Sequence, residues 1–199
     1  MWKTRPGVLF PAALAVVLAA GPAASREVGG VRVPETARLA DGTELVLNGA
    51  GLRTKFFFKI YAGALYLRRP LHEAAAVLAD PGPKRVLMHF IYKKVERHKL
   101  VEAWEEGFRA NLDEAAYAAL APRLARFNAL FPDLHRDETV RLDYLPGQGT
   151  QVWINDRLAG TIPGADFHRA LLAVWLGESP ADWELKEAML AREDGGTSD

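Results

Sequence analysis

The chain of 199 residues contains no cysteine and carries no net charge, since 25 Lys and Arg balance 25 Asp and Glu. Without cysteine it cannot form a disulfide scaffold or a thiolate-based zinc or iron–sulfur site. The neutral balance gives the chain no overall positive charge to attract nucleic acid, so we expect no nucleic-acid partner. The apolar fraction of 49% and the aromatic fraction of 10% are typical of one ordinary globular domain.

Long hydrophobic runs are also lacking. The uncharged run at 8–20 has thirteen residues, fewer than the roughly 20 that span a bilayer. It follows a basic start, Lys3 and Arg5, and precedes small residues at 21–25, and this order is typical of a secretory signal peptide. We therefore expect residues 1–25 to be removed by cleavage near Ala24 or Ser25, and the mature protein to be periplasmic or secreted without a membrane span. A buried N-terminal helix or a retained anchor is the alternative.

Hydrophobic periodicity predicts the elements of a single domain over residues 26–192, followed by a polar tail at 193–199. Predicted strands are 31–33, 44–47, 56–67, 84–92, 139–145, 150–154 and 158–162. Predicted helices are 71–79, 96–112, one capped by Asp113, one begun by Pro122, 166–176 and 180–191. Because strands cluster early and late with helices between them, the sequence predicts an α+β fold with helices on one face of an antiparallel sheet.

Three local patterns refine this prediction. The strand 56–67 is mainly apolar on both faces, which is typical of a central strand covered by helices on one face and by a cavity or second layer on the other. The glycine-containing segment 48–51 fits a turn or a bulge. In the helix 96–112, an apolar residue recurs every fourth position around Trp104, which predicts a core-facing stripe.

The segment 47–67, LNGAGLRTKFFFKIYAGALYL, resembles the signature of the chalcone isomerase-like family in its bacterial exported branch. The likeness continues through 160–167, GTIPGADF, and 175–177, WLG, so it covers nearly all of the expected mature chain. The resemblance implies an open-faced β-sandwich, a large antiparallel sheet with a layer of helices on one face. The family contains isomerases that close a ring in plant flavonoid precursors, and non-catalytic relatives that include fatty-acid-binding proteins.

The resemblance also implies a ligand site at Arg53 and Tyr61. Arg53 matches the family arginine that precedes the long strand, and Tyr61 stands at the hydroxyl position, where a tyrosine is similar to the fatty-acid-binding branch. The tyrosine and asparagine that complete the isomerase site are replaced here by Arg97 and Trp104. We therefore expect ligand binding and assign no catalytic residue, with residues 56–58 lining part of an apolar cavity for the ligand's tail.

The chemistry of the pair fits an anionic head group. Arg53 can bind a carboxylate through two parallel hydrogen bonds, and Tyr61 can donate one more. Eight residues along one extended strand would separate them by about 26 Å, so the chain must turn or bulge near Thr54 and Lys55. From the residues alone, the alternative is that Arg53 caps a turn or pairs with a surface acid and that Tyr61 only packs.

Cofactor chemistry has little support in the sequence. The five histidines do not show the two-histidine spacing of a helical metal site, the glycines at 49 and 51 lead into a strand rather than a phosphate-binding helix, and no serine lies in a nucleophile elbow. We expect no cofactor and no metal. Three functions remain: a non-catalytic protein that binds a small amphipathic anion such as a fatty acid or a phenolic, an intramolecular lyase or isomerase of a chalcone-like substrate, and a periplasmic interaction module of unknown partner.

Overall fold

A computed structural model describes residues 24–191. The expected signal peptide lies almost wholly outside this range, and so does the expected polar tail. The described strands are β1 (Ser25–Val28), β2 (Val31–Pro34), β3 (Thr36–Arg38), β4 (Glu44–Lys55), β5 (Phe58–Leu67), β6 (Lys84–Phe90), β7 (Lys94–Val95), β8 (Leu134–His135), β9 (Thr139–Leu145), β10 (Gly149–Ile154) and β11 (Arg157–Ile162). The described helices are α1 (Ala74–Ala79), α2 (Arg97–Asn111), α3 (Glu114–Asn128), α4 (Ala165–Leu176) and α5 (Trp183–Met189).

Seven strands form one antiparallel sheet in the order β11-β10-β9-β6-β5-β4-β3. Its larger core packs the sheet against the helices and includes Phe90, Trp104, Phe127, Phe167 and Trp175. Burial of large apolar side chains on one sheet face and on the facing helix stripes is the main favourable contribution to such a layered fold. The predicted α+β architecture, with helices on one face of an antiparallel sheet, is confirmed.

The other face of the sheet is covered by a small ribbon made of β1 and β2. Val28 and Val33 of this ribbon pack in a second core with Ala62, Ala64 and Tyr66 of β5. The neighbouring positions of β5, such as Tyr61 and Leu65, belong to the core on the helix side. The prediction of a strand buried on both faces is therefore confirmed, and its second cover is a layer of strands.

The predicted interruption at 48–51 is a bulge inside a long strand. β4 continues through it to Lys55, and the register with β5 shifts between Leu47 and Gly49, so that Asn48 is the extra residue. The buried Asn48 side chain donates to the carbonyl oxygens of Met189 (2.8 Å) and Leu71 (2.9 Å), and it accepts from the Leu71 amide (2.7 Å). One side chain thus joins the sheet to the end of α5 and to the loop before α1.

Two boundary predictions were wrong. The segment 56–67 is not one strand, because the chain turns at Phe56 and Phe57 and β5 begins at Phe58. Pro122 does not begin a helix: it lies inside α3, whose N-cap is Asp113, with a side chain that accepts from the Ala116 amide at 2.7 Å. A proline in a helix interior frees the carbonyl four residues earlier, and Ala118 at that position is exposed, where water can satisfy it.

Candidate functional site

Arg53 and Tyr61 stand directly opposite each other on neighbouring strands. The β4–β5 register shifts between Arg53 and Thr54, where the sequence required a turn or bulge, and the chain reverses at Phe56 and Phe57. The register pairs Arg53 of β4 with Tyr61 of β5. Residues paired in this way in antiparallel strands are about 5 Å apart and point to the same face of the sheet. The two candidate ligand-binding residues therefore share the helix-covered face.

The Tyr61 hydroxyl is a buried hydrogen-bond acceptor with an unused proton. Its oxygen accepts from the Trp175 indole Nε1 at 2.9 Å, and its ring packs on Phe90 with centroids 5.6 Å apart. Burial raises the pKa of Tyr61 to about 12, although the Trp175 hydrogen bond and the charge of Arg53 oppose the rise. The phenol is thus protonated at neutral pH, and within residues 24–191 its O–H has no hydrogen-bond acceptor.

Arg53 is partly engaged by a carboxylate that the sequence did not point to. Its Nη1 lies 3.2 Å from Oδ2 of Asp182 and also donates to the Thr54 carbonyl. The side chain of Asp182 is 9% exposed and that of Arg53 is 23% exposed. In the part of the chain that the structure describes, Nε and Nη2 of Arg53 have no partner, so the guanidinium still has donors to offer.

Asp182 connects the end of β4 to the start of α5. Its Oδ1 accepts from the Leu185 amide at 3.0 Å, as an N-cap does, while Oδ2 accepts from the Thr54 amide at 3.1 Å. An aspartate just ahead of a predicted helix is a recognisable N-cap signal, but nothing local indicates that the same carboxylate reaches a residue 129 positions earlier. The sequence-based alternative in which Arg53 pairs with an acid is therefore confirmed in part, since the acid is Asp182, which is mostly buried rather than on the surface.

Glycines allow α5 to lie directly on the two strands that carry the pair. A Cβ added at Gly51 would lie 2.5 Å from the Ala188 Cβ, and one added at Gly49 would lie 2.1 Å from the Ala188 carbonyl oxygen. At Gly63 it would lie 3.2 Å from a methyl group of Leu185. The short helix α5 therefore packs against Tyr61 and its neighbours at a distance that no larger residue would permit.

The three consecutive phenylalanines do not line a cavity, and that expectation was wrong. Phe56, Phe57 and Phe58 are 85%, 99% and 55% exposed. They lie at the tip of the β4–β5 hairpin, where the chain reverses and none of the five described helices covers it. Their aromatic character predicted a buried strand because phenylalanine is favoured in strands, and the sequence holds no Gly or Asn to mark the turn.

The two positions that depart from the isomerase pattern have structural roles. Arg97 donates from Nε to the Phe131 carbonyl at 3.1 Å at the start of α2. Trp104 is buried, with its ring 5.5 Å from Trp175 and 5.4 Å from Phe127, so the predicted core stripe of α2 is confirmed. Neither side chain is a general acid or base at neutral pH.

Two cavities lie away from Arg53 and Tyr61. A groove of about 700 Å³ between α2, α3 and α4 is lined mainly by alanine and leucine, with Arg169 and Glu178 among its polar members. A cavity of about 80 Å³ is lined in part by His168, Lys84 and Tyr144. There the imidazole of His168 stacks on Tyr144 at 4.2 Å, and burial lowers the pKa of His168 to about 3. Sequence reasoning did not identify this buried histidine.

Within residues 24–191 no group of three or more His, Asp or Glu side chains is placed to hold a metal ion. Over the same range, no helix combines the length and the apolar character needed to cross a bilayer.

Comparisons with known proteins agree with this architecture. The sequence profile of the chalcone isomerase-like family matches residues 25–191. Among solved structures, the chain is similar to the crystal structure of a fatty-acid binding protein from Arabidopsis thaliana, with a TM-score of 0.57, 18% identity, and coverage of 78% of this chain and 96% of that one. A comparison with curated proteins finds no match. The structural likeness is one of fold, and it confirms the expected antiparallel sheet with one helical layer.

Proposed function

We propose a function from an established premise: the chain belongs to the chalcone isomerase-like family. It is a non-catalytic member that binds a small amphipathic anion, such as a fatty acid, with the carboxylate held by Arg53 and Tyr61. The fold that it shares with a fatty-acid binding protein of Arabidopsis thaliana supports this assignment.

The observation that carries the proposal is the pairing of Arg53 with Tyr61 across the hairpin. A carboxylate between the two side chains would accept from the free guanidinium donors and from the unused Tyr61 proton. Hydrogen bonds to charged groups are worth about 1.5–3 kcal/mol each, and they are stronger in a site screened from water. Because Trp175 already donates to the Tyr61 oxygen, the hydroxyl is oriented to donate elsewhere.

The ligand's tail would have to lie between the sheet and α5. Leu185 of α5 packs against the position of Gly63, beside Tyr61, and Asp182 at the start of the same helix pairs with Arg53. Binding therefore includes a shift of α5, with the ligand carboxylate competing with Asp182 for Arg53. We expect the amides of α5 to change their hydrogen-exchange rates when the ligand binds.

The isomerase alternative has no observation in its favour. Such a reaction needs a group that gains or loses a proton near neutral pH. Burial raises the pKa of Tyr61 to about 12, so its phenol stays protonated near neutral pH and cannot accept a proton as a general base. Arg97 and Trp104 supply no replacement.

A fluorescence titration with palmitate tests the proposal. Trp175 contacts Tyr61 and should report binding nearby. We expect Arg53→Ala and Tyr61→Phe each to weaken binding by about 10- to 150-fold, because each removes at least one hydrogen bond to the carboxylate, worth about 1.5–3 kcal/mol. Arg38→Ala, which breaks an exposed ion pair with Glu44, is the matched control and should bind as the wild type does. Equal affinity in Arg53→Ala and the wild type, or no wild-type binding, would refute the proposal.

We also propose that the protein is exported, on the basis of the basic start, the apolar run and the small residues within 1–25. The intact mass of protein recovered from the periplasm or the medium tests this. A mass that corresponds to a chain beginning near residue 25 is expected, and full-length protein confined to the cytoplasm would contradict it.

A further inference from the structure

The tip of the β4–β5 hairpin projects from the end of the sheet. β5 pairs with β6 only from Tyr61 onward, whereas the hairpin continues to the pair of Lys55 with Phe58. We call residues 55–59 the aromatic tip. The segment that follows β6 reaches back towards it, since the Tyr92 amide donates to the Ile60 carbonyl at 3.1 Å.

Exposed aromatic side chains are concentrated here. Seven large hydrophobic side chains are exposed among the described residues, and three of them are the consecutive phenylalanines of the aromatic tip. The ring of Phe58 lies 5.5 Å from that of Tyr92, which is 37% exposed. Trp183, 59% exposed, directly follows Asp182, which pairs with Arg53 close to the aromatic tip. Isolated exposed apolar residues are ordinary, but a contiguous cluster marks a binding surface.

The turn is built at a local cost. Phe56 has a φ of 56°, in the left-handed region that favours glycine, asparagine and aspartate. Glycine at position 56 would relieve that strain, since Phe56 and not Phe57 has the positive φ. Residues with strained backbone conformations occur preferentially at functional sites.

Positive charge surrounds the apolar tip. Lys55 and Lys59 flank the phenylalanines, and Lys93 follows Tyr92; all three are exposed, and none forms an ion pair within the described residues. Lys99, 3.0 Å from Glu102, is the main cause that lowers the pKa of that carboxyl, and the charge of Lys55 contributes least, so Glu102 is already paired elsewhere. The tip therefore has apolar side chains at its apex and, beside them, lysines that are unpaired in the described part of the chain.

We propose that the aromatic tip inserts into the surface of an anionic lipid bilayer. Phenylalanine rings at a convex apex can bury their area among acyl chains, while flanking lysines stay at the level of the head groups. Each such lysine adds attraction to anionic lipid, and the Tyr92 and Trp183 rings suit the interface itself. A protein partner would need a deep pocket to cover a protruding two-residue turn, whereas a bilayer needs none.

Insertion at this point would hold the ligand pair close to the membrane. Arg53 lies two residues before Lys55 on the same strand, and Asp182 and α5 lie beside it. The inference goes beyond the proposed ligand binding and does not depend on it, because the contacts of Tyr61 are with Trp175 and Phe90, neither of which belongs to the aromatic tip.

The absence of cysteine allows a direct test. Phe57→Cys, labelled with an environment-sensitive fluorophore, places the only thiol at the apex. Gln148→Cys is the matched control, because it lies in the exposed turn between β9 and β10 at the opposite end of the sheet. With vesicles that contain phosphatidylglycerol, we expect a blue shift and increased emission from the label at 57 and no change from the label at 148. Any binding by residues 1–23 is common to both proteins and does not mimic this difference.

Variants in the labelled Phe57→Cys protein separate the two contributions. Phe56→Ser should weaken partitioning by about tenfold or more, as expected for an inserted ring. Lys55→Gln and Lys59→Gln should each weaken it by about fivefold on anionic vesicles, with no effect on vesicles of phosphatidylcholine alone. If the emission of the label at 57 stays unchanged with both anionic and phosphatidylcholine vesicles, the proposal is overturned. So would a label that responds to protein concentration without lipid, which would identify a second copy as the occupant. Palmitate binding by the Arg53 variants is measured in a separate experiment, so ligand binding and membrane insertion can fail independently of each other.

Discussion

Replacing Asp182 by asparagine should make the protein less stable and at the same time a better binder of anions. The carboxylate of Asp182 contacts Arg53 and the Thr54 amide through Oδ2 and caps α5 through Oδ1. Asparagine keeps an oxygen for the cap but turns an NH₂ group towards donors that it cannot satisfy. The same change removes the negative charge that competes with a ligand carboxylate for Arg53.

The expected magnitudes follow from the geometry. The pair is partly buried, with side chains 23% and 9% exposed, so the loss of its hydrogen bonds should cost about 1–3 kcal/mol. For a domain of this size each kcal/mol lowers Tm by about 2–4 °C, and we expect a fall of roughly 2–12 °C. Removing a charge from about 4 Å of the bound anion is worth up to about 4 kcal/mol at an effective dielectric constant of 20. The partial exposure of Arg53 reduces this to about 1–2 kcal/mol, or roughly 5- to 30-fold tighter binding.

Thermal unfolding with and without palmitate measures both effects in one experiment. Asp182→Asn should have the lower Tm without ligand and the larger rise with it. Asp113→Asn is the matched control, since Asp113 caps α3 through the Ala116 amide and does not contact Arg53. Asparagine is as good an N-cap as aspartate, so this control should behave as the wild type. Unchanged or weaker binding by Asp182→Asn would show that Arg53 does not hold the ligand.

Three further predictions concern buried polar groups. Asn48→Ala leaves the Met189 carbonyl and the Leu71 backbone without their partner, at about 2–4 kcal/mol in total, and should lower Tm by roughly 4–16 °C in thermal unfolding. An unchanged Tm would contradict the role of the bulge. The pKa of His168 is lowered from 6.5 to about 3 by burial, so its contribution to stability is present above pH 6.5 and is lost as the pH falls towards 3. His168→Phe should therefore show a shallower fall of Tm between pH 6.5 and 4 than the wild type, and an equal fall would count against this account. Because the pKa of Tyr61 is raised to about 12, stability should decrease between pH 10 and 12, and Tyr61→Phe should reduce that decrease in denaturant titrations.

The periodicity of apolar residues predicted most of the layered fold correctly, because helices and strands bury side chains on one face at a regular spacing. The stripe around Trp104 and the alternation of β5 follow directly from which faces meet the core. The same reasoning failed at residues 56–58, where side chains with strong strand preference occupy a turn. The chain reverses there because β4 and β5 pair from Val46 and Leu67 up to Lys55 and Phe58, and this extended pairing outweighs the local preference of three phenylalanines.

The composition of the candidate site could be predicted only in part. The likeness to a known family pointed to Arg53 and Tyr61, and the need for a turn between them followed from the geometry of an extended strand. The partner of Arg53 could not be inferred, because Asp182 lies 129 residues away and its local pattern indicates only a helix cap. Asn48 was likewise visible as an interruption, while its bond to Met189 depends on where α5 packs.

Native mass spectrometry combined with organic extraction tests the central claim most directly. Protein produced from the full-length gene, and its Arg53→Ala variant, would be purified identically without added lipid. The account predicts that the wild type carries an amphipathic acid, released by the solvent and identified by mass, and that Arg53→Ala carries much less of it. An acid retained equally by both proteins, or bare protein that also fails to bind added palmitate, would contradict the assignment of Arg53 and Tyr61 as an anion-binding pair.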